Sequence, residues 1–572
     1  MTHHLKWIIS GIIIVVLLVG IAALVARCTS NRRQNTTIIF YNDWAGDFTG
    51  QSMGWFQHIT QERFGFTTYH LGAAEMEELF QTRRAAGDLG DLIIIGTHRL
   101  RESIHDGLLM DITHLVETSM PNYNAFFPGA IARSRELFLT DEIFALPLQV
   151  STQPATTPRL YGQVPLYGAF LRQDAYMAIG APTIYTIENL LPILAQMQYV
   201  MPYTEAGYPT YGFSLFSGPE DNTVLNTAAA FARVYGGMDV FSSTGFIDYE
   251  NHRLESFLDI SGLYIRALKL YFDANQLGIL DPASANQGFR EVWDKFEQGS
   301  VLFSWWSWLG MDSFNTPARA AQGIGYNFIP IRGQRILYDT AINPSGPNHP
   351  DLVIAVGASS NYAEAIIDFI DWLASPEGHQ TLLAGPEGLT WEMIDGAPYL
   401  TQFGLSAGVH TGNFTDIEVP NQWGGGSFSQ GAWQGNTTVF THFGREVNPA
   451  TGWPFNPMLW PSATGADMPQ LHWEWTGRFG SLTPLDFALD NELIFAPPAI
   501  DFTRPHDSSE IFMMRYNIRP IVESASWRMI FAGNEAEFFD IWIEMYDEVV
   551  ELGWYTVFEH DRAVAEAMFA AQ

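Results

Sequence analysis

The spacing of apolar and polar positions predicts regular structure from residue 36 onward. "TTIIFYNDW" (Thr36–Trp44) is a β-branched run closed by turn residues, which predicts a buried strand and then a loop. "GWFQHITQERFG" predicts a helix stopped by Gly65, and "FTTYHL" a second strand. "EMEELFQTRRAAG" predicts a helix stopped by Gly87, and "DLIIIG" (Asp91–Gly96) a third strand. This alternation of strand and helix is that of an α/β domain. Ligands of such sheets sit at the carboxyl ends of the strands, so the loops starting at Asn42 and Gly96 lie on the expected binding face.

Further along, "EIFALPLQVST" (Glu142–Thr152) predicts a strand leading out of this first unit. "PTIYTIENLLPILAQM" predicts a helix capped by Thr186, with Glu188 in its first turn. "VLFSWWSWLG" (Val301–Gly310) predicts a strand running into an aromatic loop. If strand geometry continued, Trp306 and Trp308 would share one face and Trp305 would point to the other. "SSNYAEAIIDFIDWLASPEG" predicts a helix with Ile366, Phe369, Ile370 and Leu373 on one face, ended by Ser375-Pro376. Residues 401–480 are rich in Gly, Trp and Pro and weakly periodic, which predicts an irregular insertion. "EAEFFDIWIEMYDEVVELG" predicts an amphipathic helix ending at Gly553.

One segment breaks this soluble pattern. Trp7 to Ala26 is apolar and uncharged, long enough at 1.5 Å per residue to cross a hydrocarbon core of about 30 Å. It reads either as a signal sequence, with Lys6 in its n-region, or as an uncleaved anchor. The chain's single cysteine, Cys28, follows directly after Val25, Ala26 and Arg27. A cysteine there resembles the lipidated residue of a bacterial lipoprotein signal, although Arg27 fits poorly beside the scissile bond. Arg27, Arg32 and Arg33 after the span would by the positive-inside rule favour a cytoplasmic body. Either reading tethers the remainder to a membrane.

Charge and composition narrow the chemistry. With 62 acidic and 29 basic residues the net charge is −33, and lysine occurs only at Lys6, Lys269 and Lys295. Such a chain repels phosphate backbones, so no nucleic-acid partner is expected. A body without cysteine excludes disulfides and cysteine-ligated metals. No Gly-Lys dipeptide and no H-E-x-x-H motif occurs, which excludes P-loop and zincin chemistry. Most of the 18 Trp, 22 Tyr and 40 Phe must be core, and the excess of tryptophan also suits a site that stacks flat apolar faces such as those of sugar rings.

The ordered set of motifs resembles one family. "GDLGDLIIIG", "DGLLMDITHLV", "EIFALPLQV", "FLRQDAYMAIGAPTIYTIENLL", "WWSWLG", "SSNYAEAIIDFIDWLASPEG", "GPEGLTWEMIDGAPYLT" and "FFDIWIEMYDEVVELGWYTVFEH" occur in the order and spacing of a family 1 extracellular solute-binding protein. The likeness is to the large lipoprotein-type subgroup of sugar receptors for ABC importers, and it covers nearly the whole chain. It implies a two-lobed, periplasmic-binding-protein-like α/β fold (type II) with a ligand cleft between the lobes. Lobe 1 would comprise residues 36–150 and about 325–375. Lobe 2 would comprise 151–324 and about 376–572 with the 401–480 insertion. Residues 1–28 would be the signal or anchor and 29–35 a linker.

The resemblance further implies an extracytoplasmic, monomeric, non-enzymatic receptor. Such a receptor closes about its hinge on a small solute and delivers it to a membrane permease, without cofactor or metal. "WWSWLG" falls where sugar-binding members carry Gly-Pro-Trp-Ala-Trp, whose first Trp stacks on the sugar; here Ser304-Trp305 replaces Gly-Pro. No basic pocket for anionic uronates is evident, which favours neutral sugars.

The expected ligand-binding residues are Asp43, Trp44, Thr97, His98, Gln149, Trp306 and Trp308, with Trp391, Glu392, Trp423 and Trp433 from the aromatic later half. Competing structural roles are an Asx turn at Asp43, a surface loop at Thr97 and His98, backbone bonding at Gln149, and core packing for the tryptophans. Two rival functions stand beside the receptor. One is a membrane-tethered glycoside hydrolase or lyase using the same aromatics. The other is an acidic surface lipoprotein without a small ligand.

Overall fold

The computed structural model describes residues 36–572 except 44–48, 73–75, 139–140, 149, 154–156, 158–163, 217–222, 236, 334, 338–351, 411–413, 437–445, 465–467, 499, 501, 503–504 and 506. Cys28 and the apolar segment Trp7–Ala26, and likewise Trp44 and Gln149, lie outside the described residues. Among those described, no helix is long and apolar enough to cross a membrane. The chain divides into two compact units. One comprises Met1–Val150, Pro350–Leu389 and Asp416–Thr441, and the other Ser151–His349, Thr390–Thr415 and His442–Gln572.

The first unit is built on a six-stranded sheet. Its order is Gly50–Gln51, Phe66–Leu71, Thr36–Asn42, Leu92–Gly96, Leu352–Val356 and Ala145–Pro147. Thr36–Asn42 pairs in parallel with both neighbours, and Leu352–Val356 returns antiparallel against Leu92–Gly96. All five residues of Leu92–Gly96 are buried, as a continuous apolar run in a covered sheet requires. The strand expected over Glu142–Thr152 is shorter, Ala145–Pro147. Helix Gly54–Phe64 ends on Gly65 at φ 78°, the left-handed position that glycine fills without strain. Helix Ala363–Leu373 ends where the sequence predicts, but Ser375-Pro376 also starts a new helix, Pro376–Ala384, with Ser375 accepting the Gly378 N–H at 3.1 Å.

Residues 416–441 belong to this unit for a visible reason. Helix Phe428–Asn436 lies against helix Gly54–Phe64, with the Trp55 indole stacked on Phe428 at 5.5 Å and donating to its carbonyl at 3.1 Å. Gly431 permits the approach, since a Cβ there would stand 2.5 Å from Trp55. The segment read as one irregular insertion is therefore divided between the two units and carries helices at Gln402–Ser406, Phe428–Asn436, Pro461–Thr464 and Gln470–Phe479.

At the carboxyl edge of the first sheet, Asp43 closes a polar network. Its Oδ1 accepts from the Tyr41 hydroxyl at 2.8 Å and from Arg99 Nη1 at 2.9 Å, and its Oδ2 accepts the Gly96 N–H at 3.1 Å. Arg99 also reaches Glu77 at 2.9 Å and lies over the Phe80 ring. Burial, with Asp43 beside it, pushes the Tyr41 phenol far up.

The second unit centres on an antiparallel sheet of three strands, Phe303–Trp306, Tyr167–Arg172 and Tyr326–Phe328. The last of these follows residue 325, so the boundary expected there falls inside the second unit. Helices Leu190–Val200, Thr223–Tyr235, Leu263–Gln276, Ser509–Ile530, Glu535–Glu551 and Trp554–Ala570 supply its main core. The turn expected at Thr186 is present as a 3₁₀ segment, Ile187–Asn189, whose Asn189 side chain takes the Thr186 N–H. Asn534 caps Glu535–Glu551 by accepting the Glu537 N–H at 3.1 Å, and Gly553 follows at φ 96°.

A buried ion cluster ties the closing helices together. Arg515 contacts Asp507 at 2.9 Å and Asp561 at 2.8 Å, and Asp561 accepts from Thr244 at 2.6 Å with its side chain fully buried. Burial alone would raise the Asp561 carboxyl; Arg515, Thr244 and Ser242 outweigh it and hold its pKa below the usual range. Its contribution to stability is therefore present above the unfolded pKa of about 4 and is lost as pH falls through the lower folded value. Asp561→Asn, which leaves Arg515 buried with half its partners, is expected to destabilise the second unit by about 3–5 kcal/mol at neutral pH. The deficit should shrink below about pH 4, as followed by thermal melting across pH. Asp43→Ala is expected to lower the melting temperature of the first unit, because the buried Arg99 guanidinium keeps only Glu77 as a carboxylate partner and the Gly96 N–H loses its acceptor.

Candidate functional site

Among the described residues, the second unit carries a cluster of partly exposed aromatic rings around Trp306. Strand Phe303–Trp306 alternates as the sequence predicts up to Trp305, which is 2% exposed and donates its indole N–H to the Tyr271 hydroxyl at 2.8 Å. Phe303 meets Trp305 edge-on at 4.6 Å. Trp306 thus points to the opposite face and stays half-buried. The strand stops there. Ser304 bridges back to Trp306, donating its hydroxyl to the carbonyl at 2.8 Å and accepting the N–H at 3.1 Å. The chain then turns at Ser307 into a π-turn, Trp308–Asp312.

Trp306 and Trp308 do meet, with ring centres 5.8 Å apart and planes tilted 39°. They converge because the backbone turns, not because a strand continues. The shelf extends through Phe289, 5.9 Å from Trp308 and 5.9 Å from Trp293. Phe289 is 43% exposed. π-turns are rare and cluster at functional positions. Together the rings offer flat apolar faces with no charge among them, able to stack on the apolar face of a polyol.

The other sequence-predicted residues are distributed differently. Asp43 is committed to the network described above, its two oxygens already holding three hydrogen bonds. Thr97 and His98 are not in a loop: strand Leu92–Gly96 passes directly into helix Thr97–His105, so they form its first turn. Thr97 is half-buried and His98 exposed, with Arg99 Nε donating to the His98 ring at 3.2 Å. Trp391 is 6% exposed and packs on Trp460 at 5.4 Å, while Glu392 beside it on strand Trp391–Ile394 is exposed. Trp423 is half-buried at the end of a short 3₁₀ turn in the first unit, near Gly388. Trp433 lies on helix Phe428–Asn436, and its side chain lies outside the described set.

Sequence reasoning missed a cavity in the second unit. Its volume is about 80 Å³, and its walls include Met311, Asn327, His410, Met458, Leu471 and His472. Met311 belongs to the same π-turn as Trp308. Burial lowers the pKa of both His410 and His472, and the hydrogen bond from His472 to the Leu482 carbonyl opposes that only in part. Both rings are therefore neutral at physiological pH. These residues come from several stretches far apart in sequence, none with a motif. A larger open groove surrounds Arg515, Asp507 and Phe512, but its guanidinium is neutralised by Asp507 and Asp561. Among the described residues no cluster of His, Cys, Asp and Glu could hold a metal ion.

No protein-family model matches the chain, and no curated protein matches its sequence. Solved structures do match in three dimensions. The substrate-binding protein FusA of an S. pneumoniae ABC transporter, in complex with kestose, superposes with a TM-score of 0.58 at 12% identity, over 94% of this chain and 100% of that one. The alginate-binding protein AlgQ2 gives 0.53 at 12% identity, over 93% and 98%. An HMO-binding, ABC-transporter-associated solute-binding protein from Bifidobacterium longum infantis gives 0.51 at 14% identity, over 93% and 98%. At such identities the likeness is one of fold: the chain has the two-lobed α/β fold of ABC-transporter solute-binding proteins.

Proposed function

We infer that the protein is an extracytoplasmic receptor that binds a neutral sugar or oligosaccharide and delivers it to an ABC import permease. The aromatic shelf of Trp306 and Trp308 carries this reading. It is an uncharged stacking surface on the unit where the sequence resemblance predicts the sugar to lie. The fold supports it, since the similar structures are described as binding alginate, kestose and HMO. Electrostatics favour a neutral ligand over an anionic one. The net charge is −33, and Arg99, Arg172 and Arg515 are each engaged by carboxylates of their own unit.

Within this reading Trp306 and Trp308 are the stacking residues, and the receptor binds without turnover. The apolar segment Trp7–Ala26 and Cys28 supply its membrane tether, through lipid on Cys28 or as an uncleaved helix. Tethering fits a receptor that must stay near its permease.

Thermal melting and tryptophan fluorescence against a panel of neutral mono- and oligosaccharides test the reading. A ligand at 100 times its dissociation constant should stabilise the fold by about 2.7 kcal/mol. Trp306→Ala should weaken that ligand by about 2 kcal/mol, roughly thirtyfold, as expected of a central aromatic contact. Binding unaffected by Trp306→Ala removes the shelf from the site. Ligand that is consumed on incubation points to the enzyme instead, and silence across the panel removes the sugar reading. Incorporation of labelled fatty acid that is lost in Cys28→Ser would identify the lipid tether.

A further inference from the structure

The strand that pairs with Phe303–Trp306 contributes a ring of its own. Ser304 lies opposite Phe170 and Trp306 opposite Tyr167, so strand Tyr167–Arg172 holds one extra residue between the two pairs. That is a β-bulge, and it decides which side chain meets the Trp306 indole. In unbroken register Trp306 would face Gly168; the bulge puts Tyr167 there instead. Gly168 has no room for a side chain, since a Cβ on it would stand 2.7 Å from the Phe328 ring. The Ser307 N–H donates to the Leu166 carbonyl at 3.1 Å, which holds the two strand ends together beside these rings.

Directly opposed residues of an antiparallel pair share a face, with Cβ atoms about 4.5–5.5 Å apart. Tyr167 thus belongs beside Trp306, and both side chains stay half-buried. Arg233, on helix Thr223–Tyr235, donates from Nη1 to the Tyr167 hydroxyl, and its guanidinium carbon lies 4.6 Å from the ring centre. Asp239, on strand Met238–Ser242, accepts from Arg233 Nε at 2.7 Å and from the Val240 N–H at 2.8 Å. Two elements distant in sequence from Trp306 therefore converge on one phenol, gripping it at the hydroxyl and over the ring. A half-buried ring at a strand end lacks the full packing that would lock it, and ordering it in advance lowers the entropy cost of binding.

We propose that Tyr167 is a further ligand-contacting ring of this site and that Arg233, braced by Asp239, is its positioning residue. The inference rests on the receptor reading and extends the contact surface from Trp306 and the π-turn to the neighbouring strand. Arg233 acts through the ring. Its charge is met by Asp239, so it orders the phenol without offering a site to an anion.

The test measures affinity by calorimetry on the full-length protein for glucose, galactose, maltotriose, cellotriose and raffinose, with the melting temperature of each ligand-free variant read beside it. Tyr167→Ala is expected to weaken the bound saccharide roughly tenfold, as loss of an aromatic contact does. Tyr167→Phe keeps the ring but cuts its link to Arg233, and is expected to weaken it about threefold or more. Arg233→Met should match Tyr167→Phe, and Arg233→Lys should restore part of the loss. The double variant should be no weaker than either single one, because both cut the same link. A merely structural Arg233 would lower the melting temperature and leave affinity unchanged. Tyr167→Phe, which leaves the Arg233–Asp239 pair in place, decides the positioning role even if Arg233→Met fails to fold. Full affinity in Tyr167→Ala, with Trp306→Ala still weakening the sugar, overturns the inference and leaves the receptor reading standing. Full affinity in Tyr167→Phe, or additive losses in the double variant, overturns the positioning role. Failure of every saccharide to bind the wild-type protein overturns the receptor reading and this inference with it.

Discussion

The hydrogen bond from the Trp305 indole to the Tyr271 hydroxyl, 2.8 Å long inside the largest core, fixes the surface of the second unit. A buried indole N–H must find an acceptor, and Tyr271 on helix Leu263–Gln276 provides it. With Trp305 held there and Phe303 edge-on beside it, the strand has one orientation. Trp306 then lies half-buried on the opposite face, and the strand ends there. The π-turn that follows brings Trp308 back against Trp306 and aims Met311 toward the cavity. One tryptophan given to the core thus positions both the shelf and part of the pocket wall.

A second constraint is the charge balance. A chain with 33 more acidic than basic residues has few cations to place, and the best buried of them are used internally. Arg99 holds the first strand edge, Arg172 pairs with Asp174 and lies over Phe314, and Arg515 joins the closing helices. Placing arginines this way helps keep each unit together and engages these cations with carboxylates of their own unit.

Much of the fold was legible in the sequence because its signals are local. β-branched runs marked the strands of the first sheet, Gly65 and Gly553 marked helix ends, and the spacing of Ile366 to Leu373 marked a buried helix face. The convergence of Trp306 and Trp308 was legible too, although for the wrong geometric reason, since a turn rather than a strand brings them together. What was not legible depends on tertiary placement. Thr97 and His98 look like loop residues until helix Thr97–His105 is seen to start at once after Gly96. Asp43 looks like a free carboxylate until Arg99, distant in sequence, closes on it. The allocation of residues 416–441 turns on a single close approach, Gly431 against Trp55, which no composition reveals.

The cavity illustrates the same limit. Asn327, His410, Met458 and Leu471 carry no motif, and each alone reads as an ordinary core or loop residue. Only their meeting encloses one small space of mixed apolar and polar side chains. Stacking and apolar fit discriminate weakly between similar ligands, because a misfit forfeits little more than the dispersion attraction of the displaced atoms. Buried polar groups discriminate strongly, because a ligand that fails to pair with them leaves both desolvated and unsatisfied. On the proposed receptor reading, an aromatic surface such as that of Trp306 and Trp308 contributes affinity more than choice.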